Sequence, residues 1–173
     1  ISIFSDIFPL YLTPKQCIKL YSSNKVLYEI YNKNNRFDKY YFIPKNKKEL
    51  KNAVDYWYNY KDRAMKKYGN ISNWDTTYIK NMKGLFKNKK GFDDNINEWN
   101  TSNVNNMLDM FCNAYSFNQP INNWNTSNVN NMSYMFYEAK YFNQPLNSWN
   151  VSNVKNMNNM FKYTENYNKP LDN

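Results

Sequence analysis

Histidine is absent from the 173 residues, and with it go the commonest general base and the commonest metal ligand. Cys17 and Cys112 are the only cysteines and stand far apart, so no disulfide framework holds the fold and no thiol set builds a structural zinc site. Glycine occurs only 3 times and proline 6 times, which sets the polar content apart from a flexible Gly/Ser/Pro linker. No apolar run approaches the length that spans a bilayer, and the stretch 1–12 is too short, and lacks the basic leader, for a signal peptide. The first residue is not Met, which leaves room for a processed or further N-terminal segment. Catalytic constellations are missing too: no paired carboxylates, no nucleophile beside a base, no phosphate loop. Asp93, Asp94 and Asn95 gather oxygens at one point, but a calcium site needs six or more and no acidic partner recurs downstream, so turn chemistry accounts for them. The expectation is a non-enzyme with no cofactor and no metal.

What fills the chain instead is asparagine, 35 residues of it, together with 17 Tyr, 11 Phe and 5 Trp. Aromatic burial on that scale supplies a driving force that disordered segments lack, so the chain is expected to fold. The formal charge of +9 is uneven. Residues 1–70 carry 14 Lys/Arg against 6 Asp/Glu, whereas residues 71–170 carry 9 against 7. Lys45, Lys47, Lys48 and Lys51 alternate with helix-forming residues as a solvated helix face does, so nucleic acid is not the expected partner.

Self-similarity dominates the rest. Trp74, Trp99, Trp124 and Trp149 are spaced 25 residues apart, and four units (71–95, 96–120, 121–145 and 146–170) align on them without insertion or deletion. Constant register is the mark of units that stack at constant pitch. Within 121–145, the Ile121, Trp124, Thr126 spacing predicts a short strand with these residues inward. Ser127 or Asn128 then caps a short helix whose stripe is Val129, Met132, Phe136 and Ala139, and Phe142 closes the unit before the Asn143-Gln144-Pro145 turn. Met107, Met132 and Met157 share one repeat position and read as core filling, as do the tryptophans. Asn118, Asn143 and Asn168 recur at one turn position suited to a hydrogen-bonded ladder. The expected fold class is α/β: a leucine-rich-repeat-like solenoid of four 25-residue strand-turn-helix units, capped by an N-terminal α-helical domain.

Residue types and order in these units resemble the BspA-type leucine-rich-repeat family, whose copies read approximately W-D-x-S-x-V-x-x-M-x-x-M-F-x-x-A-x-x-F-N-x-P-L. The first unit departs from it at Tyr78-Ile79, Leu85 and Gly91-Phe92-Asp93-Asp94, as befits a terminal, capping copy. The resemblance implies a surface or interaction protein with relatives in bacteria, protists and large DNA viruses, and it brings no catalytic residues. "KKELKNAVDYW" followed by "YGNISNW" resembles the leader of such arrays. Upstream, Thr13-Pro14-Lys15-Gln16 predicts a capped helix presenting Cys17, Ile18, Leu20 and Tyr21, with a second helical piece over 26–31. The segment "IFSDIFPLYLTPKQCIKLYSSNKVLYEIY" is similar to an F-box, which would make a cullin adaptor the partner and the chain a ubiquitin-ligase substrate receptor. Pro44 and Asn46-Lys47-Lys48-Glu49 start a long helix whose stripe Leu50, Val54, Trp57, Ala64, Tyr68 runs to Gly69 and should sit on the first repeat. Three regions follow: a helical, F-box-like domain over 1–42, a capping helix and leader over 43–70, and the repeats over 71–173, where Leu171-Asp172-Asn173 begins a fifth unit.

The outward strand positions are the candidate protein-binding face: Asn97, Glu98, Asn100 and Ser102, then Asn122, Asn123, Asn125 and Ser127, then Asn147, Ser148, Asn150 and Ser152. This face is small, polar and poor in the aromatic and Arg anchors of tight interfaces, which directs attention also to lateral self-association and to the other edges. Asn100-Thr-Ser, Asn125-Thr-Ser and Asn150-Val-Ser are glycosylation sequons that would block it if modified. The functional expectation is a protein-interaction or assembly module, intracellular or virion-associated, with the Asn/Lys/Tyr/Ile-heavy usage pointing to an AT-rich genome such as that of a large DNA virus or a protist. Replacing Trp124 with Ala is expected to cost about 3–5 kcal/mol in a denaturant melt, the range for deleting a buried Trp; little loss would place the tryptophans outside the core.

Overall fold

The computed structural model describes residues 42–170, so the expectations placed on residues 1–41 (the Thr13 helix, the piece at 26–31 and the F-box resemblance) lie outside the described residues, as does the fifth unit begun at Leu171. Helix α1 is Lys47–Asn59, and its start is the expected one. The Asn46 side chain accepts from the Glu49 amide at 3.0 Å, and the Glu49 carboxylate accepts from the Lys45 amide at 2.8 Å. The helix expected to continue to Gly69 is broken at Tyr60 (φ −143°, ψ 58°), and α2, Lys61–Tyr68, resumes beyond it. The Asn59 side-chain amide donates to the Asp55 carbonyl at 2.8 Å in the last turn of α1. Gly69 ends α2 at φ 70°, a conformation that costs glycine little. A 3-10 turn over Ile71–Asn73 then leads into the repeats.

The strand-turn-helix solenoid expected over 71–173 is not what forms. Among the described residues there is no strand, no sheet and no helix beyond α1, α2 and the 3-10 turn. The α/β, leucine-rich-repeat-like reading is therefore corrected: each repeat is a chain of turns. The expected apolar stripe is buried, with Val129, Met132, Phe136 and Ala139 all fully enclosed, but the backbone carrying it is neither extended nor helical. Two residues per repeat sit at positive φ, at the register positions of Gly84, Asp109, Tyr134 and Asn159 (φ 63°, 57°, 55° and 55°) and of Asn88, Asn113, Glu138 and Tyr163 (φ 63°, 58°, 54° and 62°). Left-handed residues at this spacing stop an α-helix from propagating. Where a strand was expected, Asn side chains fold back on the chain. The Oδ1 atoms of Asn100, Asn125 and Asn150 accept from the amides of Ser102, Ser127 and Ser152 at 3.1, 3.0 and 3.0 Å, and such local bonds compete with extended pairing.

Successive repeats are bonded directly to each other. The amides of Met82, Gly84, Phe86 and Asn88 donate to the carbonyls of Asn106, Leu108, Met110 and Cys112 at 2.8–2.9 Å. The amides of Leu85, Lys87 and Lys89, interleaved with them, close turns onto carbonyls three residues earlier. The same two-way division recurs from Met107, Asp109, Phe111 and Asn113 to the third repeat, and from Met132, Tyr134, Phe136 and Glu138 to the fourth. Isolated parallel bridges join Asn81, Asn106, Asn131 and Asn156 in one line.

Side chains stack in columns as a consequence. Phe86, Phe111, Phe136 and Phe161 lie ring on ring at 5.2–5.5 Å between centroids, and Phe92, Phe117, Phe142 and Tyr167 form a second pile at 5.9–6.0 Å. The indole N–H groups of Trp99, Trp124 and Trp149 donate to the carbonyls of Ile71, Ile96 and Ile121 at 2.8, 3.2 and 3.0 Å, so each tryptophan fills the core and ties its repeat to the preceding one. The hydroxyls of Thr76, Thr101 and Thr126 donate the other way, to the Asn100, Asn125 and Asn150 carbonyls at 2.8, 3.1 and 2.9 Å. The expected asparagine ladder forms: Asn118 Oδ1 accepts from the Asn143 amide at 2.9 Å, and Asn143 Oδ1 from the Asn168 amide at 3.2 Å.

Tyr134 carries a bulky side chain on a left-handed backbone. Tyr134→Gly is expected to raise stability by about 0.5–1 kcal/mol in a denaturant melt, because relief of that backbone cost exceeds the entropy penalty of glycine. A Gly at the neighbouring buried Met135 should instead destabilise by several kcal/mol, on the order of 2–5.

Candidate interaction surface

The twelve residues of the expected binding face stand at the turns around each tryptophan, and much of their hydrogen-bonding capacity is spent inside the stack. Asn100, Asn125 and Asn150 also accept from the hydroxyls of Ser102, Ser127 and Ser152 at 2.7, 2.6 and 2.7 Å. Asn122 receives the Ser148 amide on Oδ1 at 3.0 Å and gives its own Nδ2 hydrogen to the Ser148 hydroxyl at 3.0 Å. The Asn97 amide donates to Asn95 Oδ1 at 2.9 Å, while its side-chain Oδ1 is buried without a hydrogen-bond donor. Glu98, Asn123 and Asn147 are exposed. The Asn/Ser pairs of this face, exposed or half-buried, thus also fasten the turns.

Large exposed side chains gather elsewhere. Tyr134, Tyr137 and Tyr163 touch in series, with centroids 5.7 and 5.4 Å apart, and Lys162 lies 5.0 Å from the Tyr163 ring. Beside them the Tyr115 hydroxyl donates to Glu138 at 3.2 Å, and the Tyr115 ring is flanked by Lys90 at 5.1 Å and Lys140 at 5.7 Å. Tyr134 and Tyr163 are 38% and 56% exposed, so aromatic surface is held in place here by its lysine and carboxylate neighbours. Sequence reasoning missed this patch because the tyrosines occupy different repeat positions and make no column. The left-handed turns at 134, 138 and 163 bring them together.

The remaining polar groups serve the cap. Asp94 accepts from the Trp57 indole at 2.8 Å and pairs with Lys61 at 2.5 Å, while Asp93 Oδ1 accepts the Asn118 amide at 2.8 Å. The departure of the first repeat at 91–94 is therefore the contact surface for α1 and the foot of the asparagine ladder. Lys89 stands where later repeats have Ala114 and Ala139; its side chain is 8% exposed and reaches Asp55 of α1 at 2.6 Å. Burial alone would raise the Asp55 pKa, but its bonds to Lys51 and Lys89 outweigh that and hold it below the ordinary carboxylate range. Burial pushes the Cys112 thiol up, which keeps it protonated and a poor nucleophile. Among the described residues no three or more His, Cys, Asp or Glu side chains cluster as metal ligands would, and no helix is long and apolar enough to cross a membrane.

A family model described as "Mycoplasma protein of unknown function, DUF285" matches residues 49–173, which comprise α1 from Glu49 onward, α2 and every repeat. No curated protein and no solved structure matches the chain.

Asp55→Asn is expected to destabilise the fold by about 1–3 kcal/mol, between the values for exposed and buried pairs, because Lys89 would remain enclosed without its counter-charge. Since the folded-state pKa of Asp55 is depressed, its contribution is present at neutral pH and lost as pH falls through that value. Chemical melts from neutral to acidic pH should show the variant losing less stability than the parent chain.

Proposed function

The chain belongs to the DUF285 family across its cap and repeats, and on that premise we propose that it is a non-enzymatic protein-interaction or assembly module, a surface or virion component of a large DNA virus. The observation that carries this reading is the tyrosine–lysine patch around Tyr115, Tyr134, Tyr137 and Tyr163 on a stack whose other large side chains are mostly enclosed. Tyrosine offers wide contact area at small entropic cost and is enriched among the few residues that dominate binding energy. The likeness of the repeats to BspA-type surface proteins supports the interaction reading, and the Asn/Lys/Tyr/Ile-rich composition supports the viral one.

Proteomics of purified particles or surface fractions should recover the chain, and exclusive recovery with soluble ligase subunits would count against this reading. Triple replacement of Tyr134, Tyr137 and Tyr163 with Ser is expected to weaken capture of the co-purifying partner by about 30-fold or more, the loss of a hot spot. Equal capture by the triple variant, with loss on replacing Asn122, Asn123 and Asn147, would move the contact to the Asn/Ser face.

A further inference from the structure

Cations on the flank of the stack are mounted on aromatic rings, and the ring at the centre is Tyr115. Lys90 stands one repeat before it and Lys140 one repeat after it, at the same register position, with ammonium nitrogens 5.1 and 5.7 Å from the ring centroid. The Tyr115 hydroxyl is fixed in turn by its donation to Glu138 at 3.2 Å. Next to Glu138 lies Tyr137, whose ring meets that of Tyr134 at 5.7 Å between centroids. All of these side chains belong to the first three repeats, with the fourth in place beyond them.

Charge on this flank is unevenly satisfied. Asp109 pairs with Lys87 at 3.1 Å, Glu138 accepts the Tyr115 hydroxyl, and Glu165 pairs with Lys140 at 3.1 Å. Lys90, by contrast, pairs with no carboxylate among the described residues. The Lys140 and Glu165 side chains are 40% and 63% exposed, so theirs is a weak surface pair that another carboxylate can replace. An ammonium held over a ring is already ordered, and less side-chain entropy is lost when an anion meets it. One lysine comes from the preceding repeat and the other from the following one, so the faces of Tyr115 are taken and a sugar has none to stack on. Composition disfavours a phosphate backbone, because residues 71–170 contain no arginine, whose planar fork matches phosphate, and Asp109 and Glu138 interrupt the lysines.

We propose that Lys90 and Lys140, mounted on Tyr115 and neighboured by Tyr134 and Tyr137, bind an acidic segment of a partner polypeptide. Its carboxylates meet the two ammonium groups, and its apolar side chains cover the tyrosine rings. Charge complementarity carries the choice of partner: the carboxylates of the flank already have partners within the chain, whereas Lys90 has none and Lys140 has an exchangeable one. The inference deepens the interaction-module reading and rests on it, since it names the chemistry of what the tyrosine patch holds.

The test uses the full chain and three probes: a fluorescent peptide of alternating glutamate and leucine, its glutamine-for-glutamate counterpart, and single-stranded oligo-dT. The acidic peptide should bind saturably, with an affinity that falls as salt is raised, and the glutamine peptide should bind at least about 10-fold more weakly. Replacing Lys90→Gln together with Lys140→Gln should cost about 10-fold, the sum of two exposed ion pairs. Tyr115→Leu keeps both ammonium groups, removes the ring between them and should cost about 3-fold; unchanged binding would contradict the mounting. A charge-matched control, Lys48→Gln with Lys66→Gln at exposed positions of α1 and α2, should bind as the parent chain does. Equal loss in that control would reduce the effect to net charge and overturn the site, as would equal binding of the glutamine peptide or an unaffected Lys90/Lys140 variant. Tighter binding of oligo-dT through the same two lysines would assign the site to nucleic acid and overturn the acidic-peptide assignment. Peptide binding that depends on Lys90 and Lys140, without recovery of the chain in particles or surface fractions, would sustain this site and count against the assembly reading. A co-purifying partner that is lost on replacing Tyr134, Tyr137 and Tyr163, yet captured equally by the Lys90/Lys140 variant, would sink this inference and leave the interaction reading standing.

Discussion

Everything in the repeat region depends on the direction of backbone hydrogen bonds between neighbouring repeats. Alternate amides leave the repeat to meet the next one, and the amides between them close turns within it. Such a division requires left-handed residues at regular intervals, so the turn geometry and the stacking are one constraint. It also explains why four units of 25 residues hold register without an insertion, since one extra residue would turn donors away from the neighbouring carbonyls. The phenylalanine piles, the tryptophan indole bonds, the threonine hydroxyls and the asparagine ladder all follow from a backbone that places identical positions directly above one another.

The first repeat is fastened to α1 and α2, where a lysine in place of alanine and an aspartate pair in place of the usual turn build polar contacts around Trp57. These charged contacts join the cap to a face that a preceding repeat would otherwise occupy. The flank carries tyrosines braced by lysines, which fits an interaction module.

Much of the packing was legible in the residues, and the backbone was not. Trp124, Val129, Met132, Phe136, Ala139 and Phe142 were read as inward and are buried, because burial follows apolar identity and register whatever the local conformation. The Asn46 cap and the Gly69 stop were readable because each is a local chemical necessity. The strand and helix were misread because spacings of three and four also arise in a chain of three-residue turns. Gly84, Asp109 and Asn159 hint at the left-handed position, but Tyr134 in the same register hides it. The asparagine and serine positions were assigned outward for want of an apolar group, and they are exposed or half-buried while their side chains also bond the local backbone. The Asp55–Lys89 pair left a trace in the sequence, a lysine in an alanine column, without naming its partner.

The account turns on the backbone at Tyr134. Measurement of through-hydrogen-bond scalar couplings, together with the φ-dependent couplings of that residue, decides it. The account predicts a positive φ at Tyr134 and a coupling from its amide to the carbonyl of Asn158 in the next repeat. A negative φ, with the amide coupled to the carbonyl of Asn130 four residues earlier, would make this segment a helix and contradict the turn-built stack.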